Sequence, residues 1–145
     1  MRILSFVTAL ILSFAPAAIG DDSSLYPKEH LAQFVAEKLD VTSFPSSIGP
    51  RRTKGRYTFG DYGFVARKVT EKEAVLELED GGWRFRLGVL ERTDAGIFLC
   101  LEDQALNGGS YHSQSVLFLN RQDAQSLLKG HESRTAFKDC PTFAR

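Results

Sequence analysis

The sequence predicts a small α+β protein in which one N-terminal helix packs on an antiparallel meander sheet of five to seven strands. Residues 83–87 alternate apolar side chains with Arg84 and Arg86, the period of a strand with one buried face. Residues 74–79 alternate in the same way, and Asp80-Gly81-Gly82 between the two runs is typical of a tight hairpin. These observations place the sheet at the centre of the chain and leave open whether it closes partly into a barrel.

The predicted helix precedes the sheet and runs from Pro27 to Lys38. Proline suits the first position of a helix, and the apolar residues at positions 31, 34, 35 and 39 follow helical spacing. The helix should therefore lay one apolar stripe on the sheet.

Short apolar runs separated by close turn signals predict the remaining elements. Such spacing favours an up-and-down meander over a parallel crossover sheet. A short C-terminal helix is predicted at residues 123–129, with Gly130 as its stop signal. The predicted strands are Arg56–Phe59, Tyr62–Val69, Ala74–Glu79, Trp83–Glu91, Ile97–Glu102 and Ser115–Asn120.

The N-terminus has the three regions of a secretory signal peptide over residues 1–20. We favour cleavage after Gly20, with cleavage after Ala17 as the alternative. This leaves residues 21–145 as a single exported domain in the periplasm or outside the cell. The apolar run is too short to span a bilayer, so no membrane insertion of the mature chain is expected.

Composition limits the classes of partner. The 145 residues contain 18 basic and 18 acidic residues, a formal net charge of 0, which gives no reason to expect a nucleic-acid partner. The hydrophobic content of 43% with 11 phenylalanines excludes a disordered chain.

Cys100 and Cys140 are the only cysteines. An even number in an exported chain is most simply a structural disulfide, and the pair lacks the close spacing of a redox motif. The bond would tie the C-terminal tail to a central strand.

The sequence contains no recognisable catalytic or metal-binding constellation. His30, His112 and His131 lie on different elements without metal-ligand spacing, and no G-x-S-x-G elbow occurs. No cofactor is expected, and an enzyme would need titratable side chains that converge in a cleft. The sequence thus favours a non-catalytic protein.

Two loops supply candidate binding residues for a protein partner. The long connection after the helix contains Arg51 and Arg52, and the loop of residues 107–112 combines Asn107 and glycines with Tyr111 and His112. Glycine allows a projecting backbone, and tyrosine gives contact area at low entropic cost. The leading interpretation is an exported protein that recognises an envelope protein, as an inhibitor, immunity protein or accessory factor would.

The loop at residues 107–112 resembles, over about five residues, the Ser/Gly-Tyr loop of the bacterial periplasmic lysozyme inhibitors, which are small exported β-barrels. It lacks the lysine that follows in that family. A helix followed by a meander also resembles the cystatin arrangement, but residues 114–118 lack the glycine of the cystatin inhibitory loop. Only architecture follows from these resemblances.

The alternative interpretation is a carrier of a small apolar ligand inside a curled sheet. Tyr57, Phe64, Trp83 and Phe85 are the candidate pocket residues. Aromatic residues at strand spacing more often form a solid core, so this alternative depends on an open volume beside them.

Overall fold

The computed structural model describes residues 24–144, and the predicted signal peptide lies outside the described residues. Within this range the chain forms one α-helix, α1 (Leu31–Lys38), and two 3-10 turns, Ser46–Ile48 and Gly60–Tyr62. The structure is therefore mostly β, and the predicted α+β class is not confirmed. The strands are β1 (Leu39–Asp40), β2 (Phe64–Val69), β3 (Glu73–Leu78), β4 (Trp83–Arg92), β5 (Ile97–Ala105), β6 (His112–Asn120), β7 (Leu128–Glu132) and β8 (Phe143–Ala144).

All eight strands belong to one curled, half-barrel sheet. Its order is β1-β7-β6-β5-β4-β3-β2, and β8 pairs with β6. Strands β2 to β7 pair in chain order as an antiparallel meander. The turn signals predict this order for β2 to β6, whereas β7 was not predicted as a strand. The sheet is mixed because β1 joins β7 in parallel, with Leu39 opposite Leu128.

The helix α1 is shorter than its predicted span. It begins after His30, whose φ of 54° is left-handed, so Pro27 does not occupy the first helical position. The helix buries Leu31, Ala32 and Val35. These side chains pack on the face of the sheet formed by β3 and β4, which closes the core.

The predicted strand at residues 56–59 is wrong, since this segment forms no strand in the described part of the chain. The backbone N–H groups of Tyr57 and Thr58 both donate to Oδ2 of Asp61, at 2.9 Å each. Backbone N–H groups that donate within a local turn of this kind do not donate to a neighbouring strand of a sheet.

The predicted helix at residues 123–129 is also wrong. The Oδ1 atom of Asp123 accepts hydrogen bonds from the backbone N–H groups of Gln125 and Ser126 and from the Ser126 hydroxyl. This cap is followed by a turn rather than a helix, and Leu128 already begins β7. Leu128 is fully buried between strands, so tertiary packing overrides the local helical pattern.

The core lies on the concave face of the sheet. Leu76, Phe85, Asp103 and Ser113 form one row across β3, β4, β5 and β6. All four are buried, and two of them are polar. This row marks the polar end of the concave face, and the core cluster beside it is hydrophobic.

The opposite face carries the charges that alternation predicts. Glu77 lies opposite Arg84 on the neighbouring strand, and their side chains form an ion pair at 2.9 Å. Arg86 pairs with Glu73 and Glu102. Exposed pairs of this kind add little stability singly, so their role is strand register.

Cys100 and Cys140 lie at disulfide distance, with their sulfur atoms 2.08 Å apart. The pair joins the C-terminal segment to the outer face of β5, where Phe98 and Phe137 also pack with ring centroids 5.3 Å apart. A cysteine pair at this distance indicates an oxidising, non-cytoplasmic environment.

Candidate ligand cleft

A cleft of about 580 Å³ opens at the polar end of the concave face, and we call it the aromatic cleft. One wall comes from the loop of residues 46–51, and most of the other lining residues come from strands β2 to β5. The volume falls in the range of known small-molecule sites. Its lining residues are Ser46, Ser47, Gly49, Pro50, Arg51, Tyr62, Phe64, Leu78, Trp83, Phe85, Asp103 and Tyr111.

Aromatic rings make up most of the apolar part of the cleft. Phe85 packs against Phe64 and Phe59, with ring centroids 5.1 and 4.9 Å apart. Trp83 stacks on Tyr111, with centroids 5.7 Å apart and planes at 29°. Because Phe85 and Trp83 occur two residues apart on β4, strand alternation places both on the concave face.

The loop wall is fixed to the sheet by hydrogen bonds. The phenol of Tyr111 donates to the carbonyl oxygen of Ser47 and lies 3.2 Å from the hydroxyl of Ser113. The backbone N–H of Thr53 donates to the Tyr62 hydroxyl at 2.8 Å. Gly49 is needed here because a Cβ at this position would lie 2.7 Å from the Phe44 ring.

Asp103 is the one carboxylate among the lining residues, and only 2% of it is exposed. Its Oδ1 atom accepts a hydrogen bond from the indole N–H of Trp83. Burial raises the pKa of Asp103 to about 6, although the Trp83 hydrogen bond and the nearby His112 act in the opposite direction. A perturbed acid in a cleft marks a candidate functional site.

The other carboxylate oxygen of Asp103, Oδ2, has no hydrogen-bond partner among residues 24–144 and is not fully buried, so it is open to the cleft. In contrast Asp40, which is also 2% exposed, is paired with Lys129 and accepts from Thr42. Asp103 is thus a buried acid that the described part of the chain leaves half satisfied at the wall of an open cleft.

Five of the residues singled out from the sequence meet in this cleft. Arg51 and Tyr111 came from the two loops, whereas Phe64, Trp83 and Phe85 came from the candidate pocket. Residues predicted for protein-binding loops and residues predicted for an apolar pocket therefore line the same cleft. Tyr111 does not project from its loop, because its ring and hydroxyl are both engaged inside the cleft.

The other four predicted residues lie outside the cleft. Tyr57, one of the candidate pocket residues, is 51% exposed and does not line it. Arg52 donates to the carbonyl of Phe44, and Asn107 caps the turn at Gly109. His112 points to the opposite face of the sheet, where its Nε2 lies 2.8 Å from Glu102.

Sequence reasoning missed Asp103, although a signal existed. Leu99, Leu101 and Asp103 follow the period of a strand with one buried face, which puts an acid in line with two core leucines. The predicted strand ended at Glu102, one residue too early to show this.

The described residues contain no group of three or more metal-ligating side chains. The residues that line the cleft include one carboxylate and no histidine, so a pair of converging acids or an acid with an imidazole is not formed there. No helix among residues 24–144 has the length and apolar character needed to traverse a bilayer.

Comparison of the chain with protein-family models, curated proteins and solved structures finds no match. The function proposed below therefore rests on the geometry of the cleft.

Proposed function

We propose that this protein is a non-catalytic binding protein, exported to an oxidising compartment, that holds a small and largely apolar ligand in the aromatic cleft. The observation that carries the proposal is the convergence of five aromatic rings with one buried carboxyl around an open volume of about 580 Å³. Ligand sites commonly combine apolar walls with a few placed polar groups.

Export is supported by two observations of different kinds. The N-terminal sequence has the order of regions found in secretory signal peptides. The cysteine pair at disulfide distance fits a compartment in which thiols oxidise.

A test of this function begins with native mass spectrometry of the protein purified from its own cellular compartment. We expect a mass above that of the bare chain, which disappears on denaturation. Ser46 is exposed at the cleft, so Ser46→Phe should fill the mouth and reduce the extra mass. Ala136→Phe, at an exposed position that does not line the cleft, is the matched control and should retain the extra mass.

A bare chain mass under these conditions, together with no binding of aromatic probes to the cleft, would overturn the carrier proposal. Equal loss of the extra mass in Ser46→Phe and Ala136→Phe would mean that the ligand binds outside the aromatic cleft, and this result would also contradict the carrier proposal.

The second candidate is recognition of an envelope protein that inserts a side chain into the same cleft. Arg51 favours it, because this residue is exposed at the cleft and takes part in no ion pair among residues 24–144. Arginine is enriched at protein interfaces. Reproducible recovery of one envelope protein by wild-type protein, lost in Arg51→Ala and Ser46→Phe and kept in Ala136→Phe, would favour this function.

A further inference from the structure

We propose that the ligand of the aromatic cleft carries a protonated amine that binds the free Oδ2 atom of Asp103. This inference rests on the proposed function of the cleft and adds the chemical class of the ligand.

The position of Asp103 within the cleft carries the inference. The side chain is 2% exposed, it lines the cleft, and its Oδ2 atom has no partner among residues 24–144. An ionised carboxylate accepts about four hydrogen bonds, and Oδ2 is not among the fully buried polar atoms that lack a partner, so it is open to the cleft. A donor that enters the cleft therefore reaches an acceptor that the described residues leave unused.

A cation suits this position better than a neutral donor. Asp103 forms no ion pair with any described residue, whereas the similarly buried Asp40 has the ammonium group of Lys129 beside it. The same fold thus neutralises one buried aspartate internally and leaves the other without a cation. Charge-assisted hydrogen bonds are roughly twice as strong as neutral ones, so an amine gains most from the vacant oxygen.

The surrounding rings favour the same ligand class. Trp83, Tyr111 and Tyr62 line the cleft with Asp103, and aromatic faces attract cations. A ligand with an apolar body and an amine end would place its body against Phe64 and Phe85 and its amine toward Asp103.

The other charged groups near the cleft do not prevent this arrangement. Arg51 is exposed and solvated, so salt screens its repulsion of a cation. His112, which lies on the opposite face, is held by Glu102 at 2.8 Å. The tyrosine hydroxyls at positions 62 and 111 are engaged with Thr53 and with Ser47.

The experiment uses phenethylamine, phenethyl alcohol and phenylacetate as probes, which share an aromatic body and differ in charge. Trp83 is the single tryptophan of the chain and lines the cleft, so its fluorescence reports occupancy. At pH 7.5 we expect the amine to bind about tenfold more tightly than the alcohol, with phenylacetate weakest.

Asp103→Asn should bring the affinities for the amine and the alcohol to within about twofold of each other, since a neutral amide lacks the charge. Glu102→Gln removes a neighbouring negative charge from the opposite face of the same strand and should keep the preference. As a second readout on the wild-type protein, the preference for the amine should shrink from pH 7.5 to pH 5, because Asp103 gains a proton near pH 6.

The outcomes separate the two proposals. Binding of all three probes with equal affinity would overturn the amine inference and leave the cleft as a ligand site. A preference that survives in Asp103→Asn or is constant with pH would also overturn the amine inference. Failure of every probe to alter Trp83 fluorescence, with a bare mass for the purified protein, would overturn the cleft as a ligand site.

Discussion

The indole N–H of Trp83 donates a hydrogen bond to Oδ1 of Asp103, which joins the start of β4 to the end of β5 inside the aromatic cleft. The bond satisfies the polar group of this half-buried tryptophan. It uses only one side of the carboxylate, so the acid stays buried with half of its acceptor capacity facing the cleft. Trp83 and Asp103 therefore supply an aromatic wall of the cleft and its carboxyl group.

Asp103→Asn should stabilise the protein at neutral pH. The raised pKa of about 6 means that the folded protein holds a proton that the unfolded chain loses near pH 4. Between these two pH values the folded state binds more protons, so stability falls as pH rises and stays lower above pH 6. Asparagine keeps an oxygen that accepts from Trp83 and carries no charge, so the gain should be on the order of 2 kcal/mol at pH 7 and should vanish near pH 4.

Urea unfolding of both proteins from pH 4 to pH 8 measures this difference. Asp94→Asn removes one negative charge at an exposed turn and is the matched control, for which we expect a flat difference. A stability gain for Asp103→Asn that does not change with pH would contradict the account of a buried, charge-penalised carboxyl.

Tyr111→Phe should loosen the wall of the cleft formed by residues 46–51. The substitution removes the donor to the Ser47 carbonyl and keeps the ring that stacks on Trp83. Loss of one hydrogen bond of this kind costs about 0.5 to 1.5 kcal/mol of unfolding free energy. We expect greater quenching of Trp83 fluorescence by acrylamide, since the wall no longer shields the indole.

Tyr57→Phe provides the control for this loss. Tyr57 is 51% exposed and lies outside the cleft, so neither unfolding free energy nor quenching should change. Equal effects of the two substitutions would show that the Tyr111 hydroxyl does not hold the loop.

The centre of the sheet was accessible from sequence because β3 and β4 alternate in burial and Asp-Gly-Gly marks the turn between them. β4 was predicted from Trp83 to Glu91 and spans Trp83–Arg92. The elements that failed are those set by distant contacts. The two-residue strand β1 exists only through its parallel pairing with β7, and no local pattern announces such an edge.

The residues of the cleft also divide into those that a local pattern predicts and those that distant contacts bring together. Strand alternation alone groups Trp83 with Phe85, and both lie in the cleft. The meeting of Tyr111 with the loop at Ser47 joins positions 64 residues apart, which sequence periodicity does not encode. Tyr57 lies outside the cleft, where its backbone N–H bonds to Asp61 in a turn and its side chain faces solvent.

Gly96→Ala should destabilise the fold through a backbone clash. Gly96 precedes β5, and a Cβ at this position would lie 2.3 Å from the carbonyl oxygen of Leu119 and 2.6 Å from the ring of Phe118. Because a backbone atom has little freedom to move, we expect a loss of about 1 to 3 kcal/mol, the usual range for overpacking. Thermal unfolding measures the change.

Gly60→Ala is the matched substitution in open space. Its Cβ would meet only the Thr58 hydroxyl, at 3.8 Å, so the melting temperature should stay within a degree or two of the wild-type value. Similar melting temperatures for the two alanine variants would show that β5 and β6 separate more easily than their packing indicates.

Replacing both Cys100 and Cys140 with serine should destabilise the fold and release the C-terminal segment. The bond spans 40 residues, and closing a loop of this length contributes about 4 kcal/mol in the chain-entropy model. The other anchors of the segment include the pairing of β8 with β6, the Phe137 ring and the hydrogen bond from Gln114 to the carbonyl of Pro141. Hydrogen exchange should therefore quicken first in residues 133–144, while β3, β4 and β5 stay protected.

A reducing agent separates loss of the bond from the effect of the serines themselves. Reduction of the wild-type protein should reproduce the lowered unfolding free energy and the local exchange pattern, and it should leave the double variant unchanged. Exchange that quickens uniformly across the sheet would mean that the disulfide supports the whole half-barrel. In that case the C-terminal segment would act as part of the core rather than as a tethered tail.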